Sequence, residues 1–308
     1  MTNNPSPSWD DVVWKEQFTT SQHPTNRIAL KQLRQLVFFN TTQVVKEGRY
    51  ISRSGQLVEP AFNKSIREQT RYYRTRFSPT IESRPYTNTV TVVQADSLFY
   101  ARKMQEELGE PVCVLNFASA THPGGGVQDG AAAQEEYLFR CTDYYRSLFQ
   151  FVDFGMLYEV PRSTESYPMD RHFGGCYTPD ATVFRDTESQ GYALLDEPWK
   201  VNFIAVAAIN RPTLHLVNGE ERITDNLIPT VRDKMRTIFR IAIDNRQHNL
   251  VLGAFGCGAF ANPPKHIAKL FRETLAEPEF AGCFQHVAFA IKGGPNGGNY
   301  LPFKAVLG

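Results

Sequence analysis

The sequence predicts an α/β protein in which a mixed β-sheet lies between two layers of helices, with a helical extension at the N-terminus. From Thr89 onward, short β-branched runs alternate with amphipathic stretches, as in TVTVV followed by SLFYARKMQEEL. Several of these runs have no polar face, which is typical of strands buried on both sides. The composition, 42% apolar and 21% charged over 308 residues, fits a globular chain with a large core.

The N-terminal part of the chain has its own character, and we expect residues 1–80 to form a helical extension packed on a main domain of residues 81–308. Apolar residues fall on one face from Asn26 to Glu47, and Gly48 is a natural helix stop. The later stretch SIREQTRYYRTRF is interpreted as a second helix. Residues 1–80 hold 12 basic and 6 acidic residues, so a solvated basic surface or a contact with an anionic partner is expected there.

The remaining elements follow in alternation. The predicted strands are TVTVV, PVCVLNF, ATVF, KVNFIAVAAI, NLVLGAF and HVAFAI, and the predicted helices are SLFYARKMQEEL, AAAQEEYLFRCTDYYRSLF, ITDNLIPTVRDKMRTIFRIAIDN and PPKHIAKLFRETL. Residues 151–198, rich in Pro, Gly, Tyr and charged positions, form a long excursion with one strand. Excursions of that length in a compact domain tend to shape a site.

Several classes of protein are disfavoured by simple counts. The net charge is +1, which gives no reason to expect a nucleic-acid or membrane-surface binder. The first twenty residues lack a basic start and an apolar stretch, and no apolar run is long enough to span a bilayer. Five widely spaced cysteines and scattered histidines favour reduced thiols and no metal site. We therefore expect a soluble, intracellular (cytoplasmic) protein without cofactor, metal or membrane contact.

A first glycine loop, Pro123–Gly126, follows the predicted strand PVCVLNF, which carries Asn116 near its end. Three consecutive glycines let the backbone approach a ligand and turn its N–H groups outward. After seven intervening residues, Gln134, Glu135 and Glu136 open a helix. Carboxylates in a first helical turn also have a purely structural explanation, because they favour the positive end of the helix dipole.

A second glycine loop, Gly253–Asn262, follows the predicted strand NLVLGAF and precedes a helix that starts with two prolines. Asn262 is interpreted as the helix cap. Backbone N–H groups of such a loop, together with a helix N-terminus, suit a diphosphate. The glycine spacing differs from the dinucleotide-binding fingerprint, so an NAD-dependent dehydrogenase fits poorly.

The residues of the two glycine loops and of the QEE triplet together resemble the signature of a known family. NFASAxxPGGG, then seven residues and QEE, with GAFGCGAFxN further on, resembles the microbial-type poly(ADP-ribose) glycohydrolases. The resemblance implies a macrodomain fold with an N-terminal extension, a poly(ADP-ribose) or other ADP-ribosylated substrate, and ADP-ribose as product. It runs in element order from about Thr89 to Ile291.

The resemblance also implies roles for particular residues. Glu136 is the implied catalytic carboxylate, and Glu135 the residue that holds ribose hydroxyls. The implied substrate-binding residues are Asn116, Gly124, Gly125, Gly126, Gln134, Gly256, Cys257, Gly258, Ala259 and Phe260. Arg162, Arg171 and Arg185 of the excursion are expected to be solvated, with contact to polymer phosphates as the alternative.

Cleavage of an O-glycosidic bond requires a proton on the leaving oxygen while water attacks the anomeric carbon through an oxocarbenium-like transition state. Adjacent helical residues point about 100° apart, so Glu135 and Glu136 are not expected to flank the bond as a pair, and we assign Glu136 as general acid and then base. Two alternatives stay open at this point. One is removal of a single ADP-ribose from a protein side chain or a nucleic-acid base, and the other is a macrodomain that binds ADP-ribose without cleaving it.

Overall fold

Strands and helices alternate along the computed structural model, which describes residues 6–23, 26–294 and 297–308. The strands are β1 (Tyr50–Ile51), β2 (Leu57–Val58), β3 (Arg71–Tyr73), β4 (Thr89–Val93), β5 (Cys113–Phe117), β6 (Gly175–Arg185), β7 (Leu194–Val206), β8 (Leu214–Val217), β9 (Glu220–Ile223), β10 (Asn249–Leu252) and β11 (His286–Ala290). The helices are α1 (Asp11–Thr20), α2 (Arg27–Glu47), α3 (Ile66–Gln69), α4 (Ser97–Leu108), α5 (Gln134–Cys141), α6 (Tyr145–Leu148), α7 (Ile228–Asp244), α8 (Pro264–Leu275) and α9 (Tyr300–Leu307). Within the described ranges, every helix is too short or too polar to span a membrane.

A seven-stranded sheet, in the order β3-β6-β7-β5-β10-β11-β4, organises the fold. Strands β7, β5, β10, β11 and β4 are parallel neighbours, whereas β3 runs antiparallel to β6. In the parallel part, Leu250 pairs with Cys113 on one side and Val287 on the other. The sheet is therefore mixed, which confirms the predicted fold class.

Both faces of the parallel strands are covered. Leu250 and Leu252 of β10 belong to one apolar cluster with Met235 of α7 and Phe271 of α8. Val251 lies between them and is fully buried outside that cluster, because successive side chains of a strand point to opposite faces. Helix α4 contacts β5 and β10 and is also outside that cluster. This arrangement explains why these strands are apolar at every position.

The chain divides into two compact units, which we describe separately. The first unit comprises Met1–Thr70, Thr121–Tyr167 and Thr178–Val201, and the second comprises Arg71–Ala120, Pro168–Tyr177 and Asn202–Gly308. The first unit holds α1–α3, α5, α6 and the first part of β7, and the second holds β4, β5, β10, β11 and the end of β7 with α4 and α7–α9. A boundary near residue 80 between an extension and a main domain stays a prediction.

The long helix of the first unit was predicted nearly to the residue. It begins at Arg27 after Asn26 and ends at Glu47, where Gly48 adopts the left-handed conformation and donates its N–H to Val44 O. In contrast, the helix expected over SIREQTRYYRTRF is wrong beyond Gln69. Residues Arg71–Tyr73 instead form β3 at an edge of the sheet, because tyrosines fit a strand and the edge of β6 offers backbone partners that a helix cannot use.

Candidate active site

The first glycine loop is held in a conformation that only glycine adopts easily. Gly124 and Gly125 have φ of 79° and 55°, and the Gly125 N–H donates to His122 O at 2.8 Å. A Cβ on Gly124 would lie 2.9 Å from Cε1 of Phe139. Both the turn and the close approach of an aromatic ring therefore require glycine at this point.

Two carboxylates from the start of α5 hold this loop. Glu135 Oε1 accepts a hydrogen bond from the Gly124 N–H at 3.0 Å, and Glu136 Oε1 accepts one from the Gly126 N–H at 2.9 Å. Between them, a Cβ on Gly125 would clash with Glu136 Oε1 and lie 3.2 Å from Glu135 Oε2. The two carboxylates therefore contact one loop, although they occupy adjacent positions in the helix.

The two carboxylates are buried to an unusual degree for acidic residues. Glu135 is 3% exposed and Glu136 is 6% exposed. Among the residues that the structure describes, Glu136 Oε2 has no hydrogen-bond partner, and Glu136 belongs to no ion pair. A buried acceptor left unpaired costs roughly 1–3 kcal/mol, so such atoms in a folded protein call for a functional explanation.

Arg140 connects α5 to the segment that follows the loop. It is fully buried, its Nη1 donates to Ala131 O at 2.8 Å, and its Nε donates to the Tyr192 hydroxyl at 2.9 Å. The Ala131 N–H donates to Gly126 O at 3.0 Å, so one chain of contacts joins Arg140 to the Gly126 peptide that holds Glu136. The sequence analysis missed this residue, and its position one helical turn after Glu136 is the only signal for it.

The second glycine loop belongs to the second unit. Gly256 has φ of 73°, and Asn262 Nδ2 donates to Gly256 O at 3.0 Å and to Ile209 O at 2.8 Å. The expectation that Asn262 caps α8 is wrong, because Pro263 is the cap residue and the Asn262 side chain faces back into the loop.

The outer arc of this loop carries donors without acceptors. Gly258 and Ala259 are exposed, and in the described part of the chain the N–H groups of Gly258, Ala259 and Phe260 donate to no acceptor. An arc of this kind is suited to an anion. Cys257 is half-buried, and burial raises the pKa of its thiol, so it is a neutral side chain near pH 7.

The predicted site residues fall into two groups. The first unit holds Gly124, Gly125, Gly126, Gln134, Glu135 and Glu136, and the second unit holds Asn116, Gly256, Cys257, Gly258, Ala259 and Phe260. Asn116 is fully buried in β5, next to β10 in the parallel sheet, so it lies at the edge from which the second loop leaves.

The arginines of the excursion differ from one another. Arg162 and Arg171 are exposed, as expected. Arg185 is 1% exposed, so both expectations for it, solvation and contact with polymer phosphates, are wrong. Its Nε donates to Thr41 Oγ1 at 2.9 Å and its Nη1 to Tyr192 O at 3.0 Å, and burial lowers its pKa to about 9. Its position in β6, which is buried in the first unit, is what removes it from water.

The mixed sheet and the carboxylates anchored on a triple-glycine loop define a glycohydrolase of macrodomain-like fold. The profile described as microbial-type PARG, catalytic domain, matches residues 39–186, where PARG is poly(ADP-ribose) glycohydrolase. No curated protein sequence matches the chain.

Solved structures of two bacterial enzymes are similar to most of the chain. Poly(ADP-ribose) glycohydrolase from Thermomonospora curvata is 29% identical with a TM-score of 0.73, covering 90% of this chain and 100% of its own. The same enzyme bound to the inhibitor ADP-HPD is 30% identical with a TM-score of 0.71, covering 89% and 99%. The enzyme from Deinococcus radiodurans in complex with ADP-ribose is 30% identical with a TM-score of 0.60, covering 80% and 98%. The chain belongs to the microbial-type poly(ADP-ribose) glycohydrolase family.

Proposed function

We propose that this glycohydrolase releases ADP-ribose from poly(ADP-ribose) with Glu136 as its general acid and then its general base. One observation carries the assignment: Glu136 Oε2 is buried and has no hydrogen-bond partner among the described residues. The other oxygen, Oε1, accepts the Gly126 N–H and fixes the orientation of the carboxyl group. A proton held on Oε2 is therefore presented in one direction only.

Each step of the reaction uses the same carboxyl group. Glu136 first gives its proton to the ribose oxygen that leaves the anomeric carbon. It then accepts a proton from the water that attacks this carbon. The ribose ring oxygen shares the positive charge in between. No second carboxylate across the bond is required, which agrees with the contact of Glu135 and Glu136 with a single loop.

The remaining site residues are proposed to bind the nucleotide. Glu135 would hold ribose hydroxyls, the backbone of the first glycine loop and Asn116 would each contact the distal ribose, and Gln134 would contact the substrate. In the second loop, residues 256–259 would bind the diphosphate, supported by the exposed N–H groups of the loop, and Phe260 would pack against the ribose. The related Deinococcus structure is a complex with ADP-ribose, which supports ADP-ribose as the product here.

The substitution Glu136→Gln tests the proposal, because the amide keeps the acceptor for Gly126 but has no proton to exchange. We expect kcat on poly(ADP-ribose) to fall roughly 10²–10⁴-fold, or about 3–5 kcal/mol of barrier, while ADP-ribose still raises the melting temperature. Glu16→Gln on the exposed face of α1 is the matched control and should leave both unchanged. Full turnover by Glu136→Gln would remove Glu136 from the mechanism.

We also propose that the protein works inside the cell. All five cysteines are free thiols, and four of them are buried, which suits a reducing compartment. Fractionation of the native cells followed by an activity assay tests the location, and activity confined to the secreted fraction would contradict it.

A further inference from the structure

A pocket lies in the first unit, apart from the residues assigned to catalysis. It has a volume of about 590 Å³, within the roughly 300–1,000 Å³ that ligand sites occupy. The last turn of α2, the start of α6, the segment 62–68 and the segment 157–161 line it. We call it the basic pocket, and the side chains that define it are Lys46, Lys64, Arg67, Arg146, Tyr145 and Tyr158.

Cations outnumber carboxylates in this lining, with Glu68 and Glu159 as the acidic members. The Lys46–Glu159 pair joins side chains that are 55% and 68% exposed, and exposed pairs of this kind contribute about 0–1 kcal/mol. In the described part of the chain, Lys64 has no ion pair at all. Phosphate oxygens can therefore compete for Lys46 and bind Lys64 at little cost, whereas Arg67 is paired with Glu68 and Arg146 with the buried Asp143.

Three aromatic side chains also line the pocket. Phe62 and Tyr158 are half-buried, and Tyr145 is buried. The Tyr145 and Tyr158 rings pack on each other with centroids 5.9 Å apart, so each ring restricts the movement of the other. A firm aromatic surface beside cations is what a purine attached to phosphates requires.

The same aromatic cluster contacts the first glycine loop and the residues just after it. Gln128, two residues after Gly126, donates from Nε2 to the Tyr158 hydroxyl at 2.8 Å. The Phe149 ring lies 5.0 Å from the Tyr158 ring, and a Cβ on Gly124 would lie 3.1 Å from Phe149. A ligand in the basic pocket is thus held at a fixed place relative to the first glycine loop, whose Gly126 N–H binds Glu136.

We propose that the basic pocket is a second, non-catalytic binding site for the poly(ADP-ribose) chain, taking a diphosphate and its adenine. The inference rests on the glycohydrolase function, because only a polymer carries the repeated diphosphates that two sites can share. Once a chain is bound in the basic pocket, its binding at the active site becomes an intramolecular event. The apparent affinity for long chains therefore rises while the chemical step is unchanged. Short substrates, which cannot reach both sites, gain nothing.

The double variant Lys46→Gln with Lys64→Glu tests this. Its matched control is Arg27→Gln with Lys15→Glu, which makes the same change in net charge at exposed positions of the same unit outside the pocket. We expect KM for long polymer to rise about fivefold or more in the pocket variant. KM for a dimer of ADP-ribose, and kcat on both substrates, should stay at the wild-type values. The control should behave as wild type throughout.

Three results would overturn the inference. One is an unchanged KM for long polymer in the pocket variant, and another is an equal rise in the control, which would show only a general charge effect. The third is an equal loss of binding to single-stranded DNA of matched charge, measured in the Glu136→Gln background, which would mark a general polyanion surface. Failure of the wild-type enzyme to cleave the dimer or the polymer would instead contradict the glycohydrolase function itself.

Discussion

At the scale of single residues, the first glycine loop and the carboxylates of Glu135 and Glu136 hold each other in place. Glu135 and Glu136 accept the N–H groups of Gly124 and Gly126, and Gly125 stands between them. Because Gly125 has φ of 55° and faces both carboxylates, any side chain there is strained by its backbone and also pushes on the proposed acid. The backbone strain and the displacement of the Glu136 carboxyl group can be separated experimentally.

We predict that Gly125→Ala loses most of its activity. The added methyl group must displace the Glu136 carboxyl group, and a misplacement of about 1 Å can cost on the order of 10²-fold in kcat. The left-handed conformation alone costs roughly 1–2 kcal/mol of stability with alanine. Steady-state kinetics and thermal unfolding measure the two quantities.

Gly55→Ala is the control for this variant. Gly55 has φ of 85° in the first unit, and a Cβ there meets no atom within 4 Å. It should lose a similar amount of stability and keep wild-type kcat. Equal activity of the two alanine variants would contradict the contact between Gly125 and Glu136.

At the scale of elements, α5 is fixed to its surroundings by a buried arginine. Arg140 reaches from α5 to Ala131 in the connecting segment and to Tyr192, whose hydroxyl donates to Glu188 Oε2 at 3.0 Å. Glu188 in turn pairs with Arg34 of α2. Because the planar guanidinium serves two acceptors in fixed directions, a lysine cannot replace it. Arg140 is a positioning residue for the helix that carries Glu136.

We expect Arg140→Lys to lower kcat about tenfold or more with little change in KM, because Gly126 and Glu136 lose their common support. Arg185→Lys is a matched control, since Arg185 is equally buried and donates to Tyr192 O but has no contact with the loop. Both variants should lower the melting temperature. A parallel loss of kcat in both would reduce Arg140 to a purely structural role.

At the scale of the whole molecule, stability depends on a buried acid that the mechanism does not use. Asp143 is fully buried, and burial raises its pKa to about 6 against the opposing effects of the Thr182 N–H, Arg146 and Lys200. In an unfolded chain the pKa of aspartate is about 3.9. Between these values the folded state binds the proton more tightly, so stability falls as pH rises from about 4 to 6.

We predict that Asp143→Asn removes this part of the pH dependence. The amide oxygen can still accept the Thr182 N–H, which Asp143 Oδ1 accepts at 2.7 Å. Relative to wild type, the variant should gain about 2 kcal/mol of unfolding free energy between pH 4 and pH 7. Denaturant titrations at a series of pH values measure it, and a constant difference across that range would contradict the raised pKa.

Features that depend on neighbours in the sequence were predictable for this molecule. The parallel strands appear as apolar runs because they are buried on both faces, and α2 appears as a one-sided pattern that ends at Gly48. The position of Glu135 and Glu136 at the start of α5 follows from the same local signals. The identities of the glycines also come from local needs, since a left-handed turn excludes most side chains.

Only the tertiary structure decided which distant groups meet. Four features depend on residues that are distant in the sequence. They are the strand rather than helix at Arg71–Tyr73, the burial of Arg185, the inward turn of Asn262 and the contact of Arg140 with Ala131. Their free energies come from desolvation and hydrogen-bond geometry, and neither exists until the chain has folded. The sequence by itself therefore determined the buried strands, the long helices and the chemical groups of this enzyme, and folding determined their contacts and the strand at Arg71–Tyr73.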